Sequence, residues 1–387
     1  MRTYKRFCVY QINKKYNFEE KFAALLSHSN HSMQYEVKKG FVSLPKGCYI
    51  QLEKKASEVI LANIRRSFGD RAGLIARIET FTQDSGLPLS LKNFIGYYHL
   101  DPRSIYGKFS FSRLCADAGV LDDFIEPAES ILTKAFSKLV AVDSRRWIKF
   151  LTDILPRFSC ELAASLSDFE KRMLQMFYIT VFQEAADWRS HTAQANMQLL
   201  ADSPIMMREL YALLALNLER IDFIDQPVPL GFDCPLDLHC TYTRDQILIA
   251  MDYMTPKNVR EGVKWLPDKQ VDVFFITLNK ADKDYSPTTM YNDYSINESL
   301  FHWQSQSTTS DTASTGQRYI NHRQRGSRVV LFVREFKQDS IGAAPYTCLG
   351  TAAYVKHTGS RPMNITWHLD QPIPAKYLRK TNKLVVG

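Results

Sequence analysis

The sequence lacks any long apolar run. No uninterrupted apolar stretch approaches the roughly 18 residues that a membrane span needs, and no apolar segment follows the basic residues 1–6 as it would in a signal peptide. The seven cysteines are scattered, odd in number and never arranged as C-x-x-C. These absences argue against a disulfide framework and favour reduced thiols. We therefore expect a cytoplasmic protein with no membrane partner.

Motifs for nucleotide hydrolysis and for common hydrolases are also missing. The chain contains no G-x-x-x-x-G-K-[ST], no G-x-G-x-x-G before a helix, no G-x-S-x-G and no H-E-x-x-H. Its one Cys/His cluster, Cys234 with His239 and Cys240, lacks the usual zinc spacing, so we expect buried thiols there. The sequence thus predicts no metal, no cofactor and no catalytic residue for this chain.

Basic residues are concentrated at the two ends of the chain. The 387 residues include 49 Lys or Arg and 41 Asp or Glu, which gives a net charge of +8. Residues 1–70 carry 13 basic against 6 acidic side chains and residues 271–387 carry 14 against 9, whereas the middle is slightly acidic. A basic excess favours an acidic partner such as nucleic acid.

The spacing of apolar residues changes at a proline-rich segment, residues 226–231. Before it, apolar residues recur at helical spacing, and Ser90 is the expected N-cap of a helix over residues 91–98. After it, short runs rich in β-branched and aromatic residues alternate with Gly, Pro, Asn and Asp, which predicts strands. The pattern predicts an α+β fold with a helical domain over residues 51–228 and a β-rich domain over residues 232–387. The main predicted strands are residues 271–278, 329–335, 347–356 and 364–369.

Three short predicted helices lie within residues 88–120, and tight turns with Gly or Pro join them. Such a unit has the layout of a helix-turn-helix, which places one helix on DNA. It also has the layout of part of an ordinary helical bundle. The spacing of these helices leaves both interpretations open.

The stretch at residues 299–306 combines aromatic, amide and hydroxyl side chains. Side chains alternate between the two faces of a strand, so Phe301 and Trp303 share one face and His302 and Gln304 share the other. One face can be core packing, and only the other can then meet a ligand. The Ser/Thr-rich residues that follow predict a loop, and a basic turn comes after it.

Several longer motifs resemble the segments that follow the motor core of bacterial superfamily II (DEAD/DEAH-box) helicases. They are PKGCYIQLEKKA at residues 45–56, LDPRSIY at 100–106, FSRLC at 111–115 and DSRRW at 143–147. Other motifs resemble the uncharacterised domain that closes those chains. These are YSPTTMY at residues 285–291, LFHWQSQ at 300–306, GQRYI at 316–320, LG at 349–350 and RPMNITW at 361–367.

The resemblance carries several implications. Some relatives look like modification-dependent (type IV) restriction enzymes, in which the terminal domain is similar to the SRA-like readers of methylated cytosine. It implies that residues 1–50 are the end of a helicase motor with a connector, and that residues 232–387 form an SRA-like, partly open barrel. Neither motor nor nuclease is present, so we expect a fragment, a split-gene product or a stand-alone reader, with any ATPase or nuclease activity supplied by a partner.

Together these observations suggest a hypothesis for the site. A modified base can be read after extrusion from the duplex, between aromatic side chains and against hydrogen-bonding groups. The candidates for this base pocket are Tyr285, Tyr291, Asp293, Tyr294, Phe301, His302, Trp303, Gln304 and Gln306. The candidates for phosphate binding, which an exposed polar turn would equally explain, are Arg318, His322, Arg323, Arg325 and Arg328.

The expected function is that of a DNA-binding, target-recognition module in a helicase- or restriction-type defence system. The expected partners are double-stranded DNA, modified DNA included, and a separate helicase or nuclease subunit. Two alternatives stay open. The chain can be a scaffold that docks on a separate helicase motor, or it can be a nuclease whose site has no recognisable motif.

Overall fold

The computed structural model describes residues 70–279, 293–374 and 377–378. The chain divides into two compact units, and the described residues of the first are 70–89 and 114–122. The second unit consists of residues 90–113 and the chain from residue 123 onward. Within the described residues, no helix combines the length and the apolar character needed to cross a bilayer. The predicted remnant at residues 1–50 lies outside the described part.

Helices dominate the described chain up to residue 219. Ten α-helices precede the first strand there, and a polar side chain caps the start of several of them. Ser90 accepts a hydrogen bond from the backbone N–H of Asn93 at 3.2 Å, so the predicted cap of α2 is confirmed. The helices are α1 (Arg71–Ser85), α2 (Leu91–Tyr98), α3 (Arg103–Tyr106), α4 (Phe111–Asp117), α5 (Glu129–Leu139), α6 (Arg145–Ile154), α7 (Cys160–Ser165), α8 (Asp168–Phe182), α9 (His191–Ala201) and α10 (Pro204–Glu219).

Among the described residues, the later part of the chain forms a mixed sheet and includes the helices α11 (Arg244–Ala250) and α12 (Ser314–Ile320). The strand order is β2-β3-β6-β9-β10-β5-β4, with β1 paired to β9, and β7 and β8 form a separate hairpin. Strands β3 and β6 are parallel, and their described neighbours pair antiparallel. The strands are β1 (Thr241–Tyr242), β2 (Val263–Leu266), β3 (Val271–Thr277), β4 (Tyr294–Ser295), β5 (Leu300–Gln304), β6 (Arg328–Arg334), β7 (Gln338–Asp339), β8 (Gly342–Ala343), β9 (Tyr346–Thr358) and β10 (Asn364–Leu369).

The sheet curls around its own aromatic core. Phe274 on β3 and Trp303 on β5 lie with ring centroids 4.2 Å apart, although three strands separate them along the sheet. Trp367 on β10 and Tyr319 on α12 pack edge-on to Phe274. The predicted α+β class is confirmed, and the described strands curl without closing into a barrel. The likeness to SRA domains stays a prediction.

Polar contacts tie the sheet to the helices of the second unit. The Asp143 carboxylate accepts hydrogen bonds from the backbone N–H and the hydroxyl of Thr241, at 2.6 and 3.0 Å. Ser144 Oγ donates to the buried Asp237 at 2.7 Å. A buried polar group that loses its partner costs free energy, so these hydrogen bonds fix the position of the sheet against the segment that holds Asp143 and Ser144. The predicted division near residues 226–231 and the helix-turn-helix likeness of residues 88–120 stay predictions.

Candidate functional site

Strand β5 divides the central motif into two faces, as its alternation predicts. Phe301 is fully buried and Trp303 is 5% exposed, whereas His302 and Gln304 are half-buried. Phe301 pairs with Trp367 of β10 and lies in the same apolar cluster. The structure therefore places Phe301 in the core and not on a pocket wall, because the curl of the sheet turns this face inward.

The other face of β5 carries a stacked ring pair. The rings of Tyr294 and His302 lie 4.8 Å apart and are inclined by only 13°. Antiparallel pairing of β4 with β5 sets these residues directly opposite each other. Two other predicted aromatic residues, Tyr285 and Tyr291, lie outside the described residues.

A cleft of about 910 Å³ lies at the end of β5, within the second unit. That volume falls in the range of pockets that hold small molecules or a nucleotide. Four predicted residues line it, namely Asp293, Trp303, Gln304 and Gln306. The other described lining residues come from the end of α5, the start of α11, strands β2, β3, β6 and β9, and the β7–β8 hairpin: Ser137, Lys138, Thr243, Arg244, Asp245, Arg260, Glu261, Gly262, Val263, Phe275, Thr277, Arg334, Lys337, Gln338, Ile341, Gly342, Ala343, Ala344 and Tyr346.

One wall of the cleft interleaves two arginines with two aromatic rings. The Arg244 guanidinium lies 4.7 Å from the Phe275 ring, and the Arg334 guanidinium lies 4.4 Å from the Tyr346 ring. Phe275 and Tyr346 meet edge to face at 5.4 Å. Such contacts hold a guanidinium in place without neutralising its charge.

Backbone and hydroxyl oxygens fix the orientation of both arginines. Arg244 donates to the Val259 carbonyl at 3.0 Å. Arg334 donates to Thr277 Oγ1 at 2.9 Å and to the Ala344 carbonyl at 3.1 Å. Among the described residues, neither guanidinium is paired with a carboxylate, so the positive charge of this wall faces the cleft without a fixed counter-ion.

Residues at and near the end of β5 supply hydrogen-bonding groups to the same cleft. The Asp293 side chain is buried, and its Oδ1 accepts the backbone N–H of Gln304 at 2.9 Å. The half-buried amides of Gln304 and Gln306 line the same space. A carboxylate accepts hydrogen bonds, and an amide both donates and accepts. The arrangement can therefore read a planar polar ring at its edge.

Basic side chains outnumber acidic ones in the described lining of the cleft. The acidic residues are Asp245, Glu261 and Asp293, and the basic ones are Lys138, Arg244, Arg260, Arg334 and Lys337. Burial lowers the pKa of Lys138, and the nearby Asp245 carboxylate opposes that shift. The lining is thus suited to an anion that also presents a flat ring.

The predicted phosphate-binding residues do not converge on one surface. Arg318 donates two hydrogen bonds to the buried Asp272, at 2.7 and 2.9 Å, and its guanidinium covers the Trp265 ring at 4.4 Å. His322 is buried and accepts the backbone N–H of Tyr354, and burial lowers its pKa. Two of the five thus stabilise the interior, because α12, which carries Arg318, and the turn after it fold against the sheet.

The other three basic residues of that turn differ in exposure. Arg323 forms an ion pair with Asp370, and the half-buried Arg328 guanidinium packs against the backbone of Gly231. Arg325 is exposed. Of the predicted set, Arg323 and Arg325 are therefore the exposed side chains, and Arg323 is held by its ion pair with Asp370.

The thiols near residue 240 are buried, as the sequence predicts. Burial raises the pKa of the Cys234 thiol to about 12 and also raises that of Cys240. A thiol with a raised pKa is a poor nucleophile and a poor metal ligand, because both roles need the thiolate. These side chains serve as packing groups.

Sequence reasoning missed the arginine–aromatic wall. Phe275 and Arg334 belong to runs that predict buried strands, and Arg244 begins a short helix. Parallel pairing of β3 with β6 sets Thr277 beside Arg334, and this pairing joins segments that are 57 residues apart. A single sequence carries no signal for that register.

A comparison with curated proteins found no match. All described residues that line the cleft, except those on α5, belong to one stretch of the chain that matches a known family. Residues 236–380 match the family described as Domain of unknown function (DUF3427).

Proposed function

We propose that this chain is a DNA-binding, target-recognition module that takes one nucleotide of its target into the cleft. The observation that carries the proposal is the cleft itself. It brings two oriented arginines, two aromatic rings and the polar group formed by Asp293, Gln304 and Gln306 around one space of nucleotide size. Those are the materials that hold a base by its face and edge and its phosphate by charge.

Such a site can offset the free energy that extrusion of a base costs. Taking a base out of a duplex costs a few kcal/mol of unstacking, which aromatic contacts and hydrogen bonds to the base edge offset. Phe275 and Tyr346 are buried beneath the two guanidinium groups, so the planar guanidinium faces of Arg244 and Arg334 would meet the base. Asp293, Gln304 and Gln306 supply acceptors and donors for its edge. Cytosine presents an amino donor, a ring-nitrogen acceptor and a carbonyl acceptor on that edge, which makes it a suitable guest.

The basic lining provides the attraction for the backbone. Arg244 and Arg334 are held by neutral partners, so their charge is available for a phosphate, and Arg260 is exposed at the rim. A fixed guanidinium fork suits a phosphate because two parallel N–H groups match two oxygens. The resemblance of the chain to helicase-associated and type IV restriction proteins supports the same role, with modified cytosine as the guest and a separate motor or nuclease as partner.

Salt dependence tests the DNA-binding proposal. If about four phosphates are neutralised, the affinity of the whole chain for a duplex falls by about 100-fold between 50 and 200 mM salt. Fluorescence anisotropy with a labelled 20-base-pair duplex measures this slope. DNA binding that ignores salt, or no DNA binding at 50 mM salt, would contradict the proposal and would favour a scaffold that docks on a separate motor.

A further inference from the structure

A second cluster of titratable side chains lies outside the cleft, at the end of β9. The Tyr354 hydroxyl and His357 Nδ1 are 2.6 Å apart. His357 Nε2 lies 3.9 Å from Asp311 Oδ2. The other oxygen of Asp311 accepts the Ser360 hydroxyl at 2.9 Å. The hydroxyl, imidazole, carboxylate and second hydroxyl thus lie in a row, with a hydrogen bond at each end and a 3.9 Å gap between Nε2 and Oδ2.

An irregularity in the sheet creates this row. Residues three apart on a regular strand face opposite ways, so Tyr354 and His357 would normally point apart. The pairing of β9 with β10 shifts register here: Lys356 pairs with Thr366 but Tyr354 pairs with Trp367, which leaves Val355 as an extra residue. Such bulges re-aim side chains and are frequent beside active sites. The bulge puts both side chains on the same face.

The surroundings set the protonation of each group. The Ser360 hydrogen bond lowers the pKa of Asp311, so this side chain is a carboxylate at neutral pH. A carboxylate beside Nε2 favours the tautomer with its proton on that nitrogen. Nδ1 is then the acceptor for the Tyr354 hydroxyl. Burial raises the pKa of the Tyr354 hydroxyl, and a hydrogen bond with the His357 backbone opposes that shift. The hydroxyl therefore needs a base that takes its proton during attack, and an imidazole oriented by a third group is such a base.

We propose that Tyr354, His357 and Asp311 form a metal-independent site for phosphoryl transfer from phosphodiesters to tyrosine. Tyr354 Oη attacks phosphorus while its proton moves to His357 Nδ1, and the bond from phosphorus to the leaving oxygen breaks. The leaving alkoxide or phenolate takes a proton from the imidazolium or from water. One ester replaces another, so no oxidant, reductant or metal is needed. Lys356 and Arg361 on the same segment are exposed basic side chains.

Tyr354 and His357 are the catalytic residues of this proposal, and Asp311 is a positioning residue. The choice of DNA as the natural diester rests on the proposed function, but the chemistry does not. A small chromogenic diester, bis(p-nitrophenyl) phosphate, therefore tests the row of side chains without requiring DNA binding.

The experiment mixes the full chain with excess bis(p-nitrophenyl) phosphate in EDTA and follows p-nitrophenolate release. We expect a burst of about one equivalent, with the phosphoryl adduct located on Tyr354 by peptide mass spectrometry. Tyr354→Phe removes only the hydroxyl, so the ring keeps its packing against Trp367. In this variant the burst of p-nitrophenolate should be reduced at least about 100-fold. The control is Tyr211→Phe on α10, which removes the hydroxyl of another half-buried tyrosine and should leave the burst unchanged.

A second variant separates catalysis from folding. His357→Ala should slow the burst by about 100-fold or more, since a positioned base contributes that much, and added imidazole should restore part of the rate. An unchanged burst in Tyr354→Phe, or no adduct on Tyr354 in the unaltered chain, overturns this inference. An adduct from the small diester in a chain that binds no DNA supports it while refuting the proposed function.

Discussion

The double substitution of Arg244→Met and Arg334→Met should weaken duplex binding by about 100-fold at 100 mM salt. Each guanidinium is expected to make a charge-assisted contact, and such contacts contribute about 1.5 to 3 kcal/mol. Two of them therefore correspond to at least about two powers of ten in affinity. The slope of log affinity against log salt should also fall by about two, because two fewer phosphates are neutralised.

Methionine is chosen because it keeps an apolar stem against the rings of Phe275 and Tyr346 while it removes the charge. The matched control is Arg145→Met. Arg145 also donates to two backbone carbonyls, those of Phe223 and Ile221, at 3.1 and 3.3 Å, but it lies on α6 away from the cleft. This control should bind DNA as the unaltered chain does.

One result would contradict a role of Arg244 and Arg334 in phosphate binding. If the double variant and Arg145→Met bind a duplex equally, with equal salt slopes, the arginines of the cleft do not meet phosphates. A urea titration of each variant measures its stability, so that unfolding of a variant is not mistaken for the loss of a phosphate contact.

Phe301→Ala should destabilise the chain by about 3 to 5 kcal/mol, which is the usual cost of deleting a buried aromatic side chain. Phe301 has no exposed surface and lies among the core residues of the curled sheet. The neighbouring His302→Ala should cost less than about 1.5 kcal/mol, because it removes a half-buried ring stacked on Tyr294.

Urea denaturation of the two variants measures this difference directly. Their midpoints should differ clearly while the unfolding slopes stay similar, since the same surface is exposed on unfolding. Equal destabilisation by the two substitutions would contradict the two-faced assignment of β5. Reduced DNA binding by His302→Ala at unchanged stability would assign its face to the interface as well.

Local chemistry made part of this structure predictable. The cap at Ser90 and the alternation of β5 depend on neighbouring residues, and both are present as expected. The α+β class follows from the change in periodicity near residues 226–231. Asp293, Gln304 and Gln306 were recognised because they accompany the aromatic motif along the chain.

The remaining features depend on contacts between distant segments. Asp272 lies in the predicted strand 271–278, where nothing in the neighbouring sequence shows which side chain pairs with it, yet it is buried and binds Arg318 from 46 residues away. That pair removes Arg318 from the predicted phosphate-binding set. Likewise, the wall of Arg244 and Arg334 exists only because the sheet curls and β3 pairs with β6 in parallel. No local pattern encodes those distances.

The most direct measurement of the central claim is the affinity of the whole chain for three matched duplexes. The duplexes carry one central cytosine that is unmodified, 5-methylated or 5-hydroxymethylated, and each is titrated at 100 mM salt. We expect one modified duplex to bind at least about 10-fold more tightly than the unmodified one, since a good base contact discriminates by about 1 to 3 kcal/mol. We also expect the double methionine variant to lose this preference. Equal affinities for all three duplexes would contradict the claim that the cleft reads a modified cytosine.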